Sequence, residues 1–497
     1  MDQEPDILII GSGMGGATLA SALADSGCRI LILERGERLR PSDNDRDEKA
    51  IFGDGVYRSK EEWFGADGQP FNPGNYYNVG GNSKFYGAVL LRYRAQDFEP
   101  IRHMAGETPG WPIRYDELEP YYSKAEQLYG VRGQIGEDPS EPAHSSPYPL
   151  PPVPDEPVIA DLRTRMLSAG LHPSSLPLGV DLDRWMARAQ TPWDAFPDTT
   201  GGKMDAETCG LSTALKHDNV TLRTGCRVMR LTLGQNENIQ GVELETGECI
   251  AAKIVVLAAG AVQSAALLLA SANERYPSGL ANHSDQVGRN FMNHNSSAVL
   301  ALHPLRKNPS IYQKTLMAND FYLTGGPKGA PLGNIQLLGK ISGLIMSASS
   351  NLPRFAANWI AARSIDFYAM SEDLPDPDSR VTLKDGKIVL DWKRSNERAH
   401  LLLVAKLKQI LRKAGYPIVI SRAFDRRTPS HQCGTARMGR DPNRSVVDPF
   451  GRSHDHPNLF IIDASILPTS AAVNPALTVA ALALRAAPQV IEQERIA

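Results

Sequence analysis

A glycine-rich turn close to the N-terminus constrains the fold of this chain more than any other feature of the sequence. The apolar run ILII (residues 7–10) is followed by the turn GSGMGG (residues 11–16), by the helix-forming stretch ATLASALADSG, and by a second apolar run, RILILERG. This order of strand, turn, helix and strand predicts a βαβ unit with parallel strands. We therefore expect an α/β fold that begins with this unit.

The spacing of the glycines predicts what the turn binds. Gly11, Gly13 and Gly16 have the G-x-G-x-x-G spacing, in which the first glycine permits a tight turn, the second lets a pyrophosphate approach the backbone, and the third allows close helix–strand packing. Glu34, at the end of the second strand, is placed to accept hydrogen bonds from ribose hydroxyls, which favours FAD or NAD over NADP. The turn alone does not choose between FAD and NAD, and a glycine-rich turn without a ligand is the alternative.

The composition excludes several other classes of protein. The chain has 497 residues, of which 42% are hydrophobic and 22% charged, and its net charge is -3; this predicts no nucleic-acid and no membrane partner. The first strand begins at Asp6, which leaves no room for a secretion signal, and the five cysteines are scattered. We expect a cytoplasmic protein without a disulfide framework, and no His or Cys spacing predicts a metal site.

Further elements follow from periodicity. Strands are predicted around residues 220–257, alternating strands follow between 296 and 390, an amphipathic helix is predicted at 396–414, and a last helix opens at Asn474–Pro475. No secondary structure is assigned to the segment 340–363, which could be a mobile lid.

Two segments near the C-terminus connect the chain to a known family. They read SHQCGTARMG (430–439) and NLFIIDASILPTSAAVNPALTVAALALRAA (458–487). Four more segments support them in order along the chain: NVGGNSKFYGA (78–88), AAGAVQSAALLLAS (258–271), VGRNFMNH (287–294) and SEDLPDPDSRVTL (371–383). Together they resemble the glucose–methanol–choline (GMC) oxidoreductases, and most of all the bacterial pyranose oxidases and glycoside 3-oxidases or 3-dehydrogenases.

The resemblance implies a fold and a cofactor. A Rossmann-type FAD-binding domain, formed by residues 1–92, 202–299 and 426–497, would be interleaved with an α+β substrate domain, formed by 93–201 and 300–425 on a mainly antiparallel sheet. The implied FAD contacts are Gly11, Gly13, Met14, Gly15, Gly16, Glu34, Gly80, Gly81, Asn82, Ser83, Val228, Ala259, Gly260, Asp463, Ala464, Asn474 and Pro475. Some pyranose oxidases attach FAD covalently through a histidine where this chain has Phe85, so we expect non-covalent FAD.

The resemblance also implies catalytic residues. Oxidation of an alcohol removes a hydroxyl proton and a hydride from the same carbon, and flavin N5 takes the hydride. His431 stands where the family has its catalytic base, and Asn474 corresponds to the residue that hydrogen-bonds the substrate oxygen. Because asparagine cannot take the proton, His431 would act as the base alone. Gln336 is a candidate contact for a sugar hydroxyl, with an ordinary polar residue on a sheet face as the alternative.

Three functions remain open at this point. The first is oxidation of a secondary hydroxyl of a sugar or glycoside, at C3 or else C2, to a keto-sugar, with O2 or another acceptor reoxidising FAD. The second is a GMC oxidase or dehydrogenase of a non-sugar alcohol, sterol or aryl alcohol, whose site would be apolar. The third is a flavin-binding protein without activity. A hydrolase is poorly supported, since no G-x-S-x-G turn follows a strand.

Overall fold

The computed structural model describes residues 4–189, 192–350, 352–428 and 431–496. Ser430 of the C-terminal motif lies outside the described residues, as do the first three residues and position 351 of the segment 340–363. The helices are α1 Met14–Leu23, α2 Tyr115–Leu128, α3 Pro157–Ser168, α4 Leu182–Ala189, α5 Ser212–Ala214, α6 Ala261–Ala270, α7 Gly343–Ser349, α8 Arg354–Ala361, α9 Glu397–Lys413 and α10 Ala476–Ile496.

The strands belong to several sheets and are numbered along the chain. They are β1 Ile7–Ile10, β2 Ile30–Leu33, β3 Trp63–Gly65, β4 Pro70–Phe71, β5 Ile101–Arg102, β6 Glu107–Thr108, β7 Ser174–Ser175, β8 Val220–Arg223, β9 Val228–Leu233, β10 Ile239–Leu244, β11 Cys249–Ala251, β12 Ile254–Leu257, β13 Asn295–Leu302, β14 Leu316–Ala318, β15 Asn334–Leu337, β16 Ser364–Ser371, β17 Arg380–Lys384, β18 Lys387–Asp391, β19 Ile418–Ala423 and β20 Leu459–Ile461.

A parallel sheet carries the glycine-rich turn. Its strand order is β20-β12-β1-β2-β8, and every neighbouring pair is parallel. Strands β1, β2 and β12 are continuous apolar runs with every residue buried, as expected for a parallel sheet that is covered on both faces. The carboxyl ends of these strands therefore meet at one edge, where a doubly wound fold binds its ligand.

A second, antiparallel sheet is built from the intervening segments. Its order is β19-β13-β16-β15-β14-β7, and each of its strand pairs is antiparallel. The amphipathic helix α9, predicted at 396–414, packs on one face of this sheet, where it contacts β13, β16 and β19. The described residues thus confirm the predicted fold class: a Rossmann-type unit combined with a mainly antiparallel sheet.

The chain passes from one of these two units to the other several times. Strand β13 runs through residue 299, where the predicted domain boundary falls, and β18 of the later segment pairs in parallel with β3 of the first. The predicted domain bounds stay a prediction.

The segment 340–363, to which no secondary structure was assigned from the sequence, contains two helices. These are α7 and α8, and Ser342 caps α7 by accepting a hydrogen bond from the amide of Ile345. Both helices are short, and a hydrophobic period is hard to recognise over so few residues. Met346, Ala357 and Ala361 pack in a small core with Ala298 and Leu300 of β13, so tertiary packing stabilises them.

Candidate active site

The predicted cofactor turn is formed by close backbone packing. Gly11 follows β1 with a φ of 104°, in the left-handed region that favours glycine. A Cβ on Gly11 would overlap the carbonyl oxygen of Ala258, and a Cβ on Gly15 would overlap that of Ile462. A Cβ on Gly13 would meet nothing within 4 Å. Gly13 is the N-cap of α1, and Met14 is its first residue, so open space lies before the first free N–H groups of a helix, which is a suitable place for phosphate.

Ser12, which was not among the predicted cofactor residues, ties this turn to two other predicted segments. Its backbone N–H and its hydroxyl both donate to Glu34 Oε2, at 3.1 and 2.7 Å. The Ser12 hydroxyl oxygen in turn accepts from the amide of Gly80 at 3.0 Å. Glu34 Oε1 accepts one bond, from the amide of Gly36, and a carboxylate oxygen has room for a second donor. The ribose contact predicted for Glu34 thus stays a prediction that this geometry permits.

The predicted segment Gly80–Ser83 lies beside the glycine turn. Residues 81–84 form a single 3₁₀ turn that starts from left-handed backbone at Gly80. Ser83 donates to the Gly80 carbonyl and accepts from the amide of Ala206, while Asn82 accepts from the amide of Tyr76. These bonds fix the backbone of the segment that the family places along the flavin.

The other predicted cofactor residues follow the ends of β12 and β20. Asp463 Oδ2 accepts from the Gly260 amide at 2.9 Å and from the Ser264 hydroxyl, which itself accepts from the amide of Ala259. A Cβ on Gly260 would meet open space. Ala464 opens a short 3₁₀ turn capped by Asp463. The structure therefore brings Ala259, Gly260, Asp463 and Ala464 together at the same edge of the sheet as the glycine turn.

Val228 begins β9 in a separate three-stranded sheet. Two residues before it, Cys226 donates its amide to the Glu34 carbonyl at 2.9 Å. This bond keeps the start of β9 close to the end of β2.

The two predicted catalytic residues are in contact, and the predicted substrate residue touches one of them. Asn474 Nδ2 lies 3.2 Å from His431 Nε2, and Gln336 Nε2 donates to Asn474 Oδ1 at 3.1 Å. Asn474 and Pro475 immediately precede α10. Ile335 and Leu337 of β15 lie in the core that includes the residues of α9, so the alternation of a strand points Gln336 to the opposite face. Gln336 is fully buried, and its Oε1 has no hydrogen-bond partner among the described residues.

Sequence reasoning missed a second histidine at this place. His294 is buried, and its Nδ1 lies 2.7 Å from His431 Nδ1. Its Nε2 lies 3.0 Å from the carbonyl oxygen of Ser470. The segment VGRNFMNH that contains His294 was recognised as a family segment, but one sequence carries no signal for a contact between residues so far apart in the chain.

The surroundings keep His431 neutral. Burial holds the pKa of His431 well below the usual histidine range, and the neighbouring His294 and the Lys314 ammonium lower it further. Lys314 is itself buried and ion-paired with Asp194, at 2.9 Å. Burial lowers the pKa of His294 as well, against the smaller raising effects of the Ser470 carbonyl and Glu372. A neutral imidazole can accept a proton, so the site contains a base in its working form at neutral pH.

The residues present fit FAD. Two places where a Cβ would meet open space, at Gly13 and Gly260, lie at the ligand-binding edge of the parallel sheet, and a helix N-terminus faces one of them. Across the described chain, no group of three or more His, Cys, Asp or Glu side chains could hold a metal ion. Of the helices described, none is long and apolar enough to cross a membrane.

Family models match three parts of the chain. Residues 375–483 and 182–296 match models described as GMC oxidoreductase, and residues 9–50 match the NAD(P)-binding Rossmann-like domain. Among curated proteins, 6'''-hydroxyparomomycin C oxidase of Streptomyces lividus is 30% identical, over 97% of this chain and 91% of its own length. Paromamine 6'-oxidase of Streptomyces fradiae is also 30% identical, over 98% and 91%. The fructose dehydrogenase large subunit of Gluconobacter japonicus is 28% identical, over 98% and 97%.

Solved structures agree on the fold. Pyridoxine 4-oxidase from Mesorbium loti superposes with a TM-score of 0.68 at 22% identity, covering 98% of this chain and 99% of that one. Formate oxidase of Aspergillus oryzae RIB40 superposes with a TM-score of 0.66 at 16% identity, covering 100% and 99%.

The fold and the site define a flavoenzyme, an FAD-dependent oxidoreductase that acts on alcohol groups. The chain belongs to the GMC oxidoreductase family. The family, the cofactor and the class of enzyme predicted from the sequence are thereby confirmed. Members of this family among the relatives are named for sugar or aminoglycoside substrates and also for non-sugar alcohols.

Proposed function

We propose that this protein oxidises a hydroxyl group of a sugar or glycoside to a carbonyl, with His431 as the base. We propose a secondary hydroxyl, at C3 or else C2, as in the glycoside 3-oxidases and pyranose oxidases that the sequence resembles. The observation that carries the choice of a polar substrate is Gln336, whose buried Oε1 lacks a partner beside the catalytic pair. An unsatisfied buried acceptor is costly, and a substrate hydroxyl that donates to it would remove that cost.

The chain's own residues perform the proton chemistry. A substrate hydroxyl beside the catalytic pair replaces Asn474 Nδ2 as the donor to the single lone pair of His431 Nε2, and it accepts a hydrogen bond from Asn474 Nδ2 instead. His431 then takes the hydroxyl proton, and Asn474 stabilises the negative charge that develops on the oxygen. What FAD supplies when bound is the acceptor for the hydride of the same carbon. Desolvation of the partly buried His431 disfavours the charged form of its ring before the substrate proton arrives.

The cofactor is proposed to be held without a covalent bond. Phe85 stacks on Tyr76 with ring centroids 3.7 Å apart and an angle of 9° between the planes. A phenyl ring has no nucleophilic atom to attach to a flavin. Acid precipitation should therefore release all flavin into the supernatant. In the intact enzyme, O2 or another electron acceptor serves as the second substrate. The cytoplasmic location stays a prediction of the sequence.

A non-sugar alcohol is the second candidate, and one of the relatives supports it. A 2-methyl-1,2-propanediol dehydrogenase of Mycolicibacterium austroafricanum is 27% identical over 97% of this chain. A site for such a compact substrate would need fewer polar groups than a sugar site. The names of the two Streptomyces relatives refer to the 6''' and 6' positions of aminoglycosides. The compounds tested as substrates therefore have to include primary hydroxyls.

The test is anaerobic mixing of the FAD-loaded protein with monosaccharides, methyl glycosides, aminoglycosides, small diols and aryl alcohols, with flavin absorbance as readout. We expect bleaching by sugars or glycosides, and NMR of the product identifies the oxidised carbon. His431→Ala should still bind FAD, but substrate should reduce the flavin about 10²–10⁴-fold more slowly than in the wild type. The control His283→Ala, at an exposed histidine, should show the wild-type rate. Bleaching by alcohols alone would reject the sugar proposal, and an active His431→Ala would reject the base. Parallel aerobic assays for peroxide and for dye reduction identify the electron acceptor.

A further inference from the structure

His294 occupies a position between the catalytic base and a fixed backbone carbonyl. It lies one residue before β13 and is 3% exposed. Its ring meets the ring of His431 edge to face, with centroids 4.7 Å apart and an angle of 71° between the planes. The two Nδ1 atoms are 2.7 Å apart, which is a hydrogen bond between two imidazoles. One of the two nitrogens must therefore carry a hydrogen and the other must not.

The carbonyl of Ser470 decides which nitrogen carries it. A carbonyl oxygen only accepts, so His294 Nε2, at 3.0 Å from it, is the donor and carries the hydrogen. A neutral imidazole has one N–H, so His294 Nδ1 is an acceptor. His431 Nδ1 must then be the donor, and His431 Nε2 is left with a free lone pair. That nitrogen faces Asn474 Nδ2, which is a donor, so each contact in the series has one donor and one acceptor.

The carbonyl that fixes this order is itself held in place. The Ser470 hydroxyl donates to the Asp373 carbonyl at 2.9 Å, and the adjacent Ala471 donates its amide to Glu372 Oε1. Ser470 also precedes Asn474 by only a few residues, so both ends of the series are anchored on one loop.

The charged groups around the two histidines do not change the assignment. A doubly protonated His294 would reverse the direction of the bond to His431, and Glu372 is the carboxylate that would favour it. Glu372 is already engaged by the Ala471 amide and lies 3.2 Å from His103 Nε2. On the other side, Lys314 disfavours a further positive charge near His431, and its ammonium is neutralised by Asp194. Desolvation of both rings, with His294 buried and His431 partly buried, disfavours any net charge on the pair.

We propose that His294 is a positioning residue that holds His431 in the tautomer with hydrogen on Nδ1, so that Nε2 is the nitrogen that takes the substrate proton. This inference rests on the proposed role of His431 as base and adds which atom acts and what selects it. Without His294, His431 is free to carry its hydrogen on Nε2, and such a ring cannot accept the proton at the atom beside Asn474. The same physical logic makes a carboxylate essential behind the histidine of a serine protease.

Two substitutions distinguish the role of the acceptor atom Nδ1 of His294 from that of its donor atom Nε2. In His294→Asn the side-chain carbonyl oxygen can occupy about the place of Nδ1 and still accept from His431. In His294→Gln the side-chain amide can reach about the place of Nε2 and still donate to Ser470, but the acceptor for His431 is lost. We expect flavin reduction by substrate to stay within about tenfold of wild type in His294→Asn and to fall about 10²-fold in His294→Gln.

A matched control and a direct measurement complete the test. His400 is a buried histidine of α9 that is hydrogen-bonded to Ser297 of β13 and Ser371 of β16, and His400→Gln should leave the rate unchanged. In protein labelled with ¹⁵N-histidine, the His431 signals, assigned by their loss in His431→Gln, should show a protonated Nδ1 and an unprotonated Nε2. The reverse assignment in the wild type, or equal reduction rates in His294→Gln and wild type, would overturn the proposal.

The outcomes distinguish this inference from the proposed function. If no compound on the panel bleaches the wild-type flavin, the proposed function fails, while the NMR assignment still decides the tautomer. If the wild type is active and His294→Gln binds FAD, melts as the wild type does and is equally active, the positioning role alone fails. If His294→Gln does not fold, the wild-type NMR spectrum and the rate of His294→Asn still decide.

Discussion

The glycine turn (residues 11–16) and the catalytic network (Ser470, His294, His431, Asn474 and Gln336) solve opposite problems. The turn consists of contiguous residues, works through backbone atoms, and excludes side chains: a Cβ on Gly15 has no room beside Ile462. The network joins four side chains and one backbone carbonyl, and the residues paired by its hydrogen bonds are 43 to 176 positions apart in the chain. The turn can therefore be recognised in a short piece of sequence, whereas the network exists only in the folded chain.

The largest expected effect comes from adding a methyl group to the turn. In Gly15→Ala the new Cβ overlaps a backbone carbonyl that β20 and the following turn hold in place, so we expect the free energy of unfolding to fall by about 3 kcal/mol and FAD to be lost. Thermal unfolding followed by circular dichroism, together with flavin absorbance of the purified protein, measures both. The matched change Gly13→Ala meets no protein atom within 4 Å, so it should melt like the apo wild type and yet bind FAD more weakly. Equal melting temperatures of the two variants would contradict the distinction.

The next effect is on the network and leaves the turn untouched. Asn474→Ala removes the donor to His431 Nε2 and the acceptor for Gln336 together. We expect the rate of flavin reduction by substrate to fall about 10²-fold, the loss typical when a donor to a developing oxyanion is removed, with FAD content unchanged. Stopped-flow absorbance under anaerobic conditions measures the rate. A variant that loses FAD instead of rate would place Asn474 with the cofactor residues and not with the catalytic ones.

A smaller effect is expected at the outer end of the network. Gln336→Met keeps the length of the side chain and removes both polar atoms, so a sugar hydroxyl loses about one hydrogen bond, worth about 1 kcal/mol. We expect kcat/KM for sugars to fall about fivefold to tenfold, with little change for small alcohols. Steady-state kinetics on both substrate types measure this, and Gln240→Met, the same change on an exposed strand residue, is the control. A loss of the same size for sugars and alcohols would show that Gln336 acts only by holding Asn474.

The smallest effect is a response to pH that we expect to be almost absent. Burial, His294 and Lys314 lower the pKa of His431 well below the ordinary value, so the base is already neutral at pH 6 and gains nothing as the pH rises to 8. Activity should decline only as the pH falls well below 6.5, through the lowered pKa, because protonation removes the base. The rate constant of flavin reduction, measured as a function of pH in holoenzyme, tests this. A midpoint near the ordinary histidine value of about 6.5 would mean that the ring is not desolvated as described.

The sequence was sufficient for the parts of the molecule that depend on local pattern. The βαβ unit, the helix α9, the strands of the parallel sheet and β13, β15 and β16 of the antiparallel sheet could be predicted because each has its own apolar pattern or turn residues. Strands β7, β14 and β19 were not predicted. Helices α7 and α8 could not, since they are short and are stabilised by packing on Ala298 and Leu300. Tertiary contacts decided their structure, and these are not visible in a single sequence.

The candidate site divides in the same way. Gly11, Gly13, Gly16 and Glu34 were predicted from the local spacing of the glycine turn, whereas His431, Asn474 and the other cofactor residues were predicted only from the resemblance to a family. Ser12 lies inside the glycine turn and His294 inside a family segment, and both were still missed, since their roles depend on partners in other segments. A buried polar residue becomes interpretable only when its partners are known.

The backbone of His431 has a consequence for how the site could have arisen. Its φ of 67° is left-handed, a conformation that costs a residue other than glycine about 1–2 kcal/mol. The neighbouring Cys433 exchanges two backbone hydrogen bonds with Met292, and the Gly434 amide donates to Ala464, so distant segments supply the free energy that keeps this backbone in place. A peptide with the sequence of residues 431–439 would relax to an ordinary conformation and lose the aim of the imidazole. The proposed base therefore depends on the assembled chain, and its motif could not be transplanted into another protein without the segments that hold it.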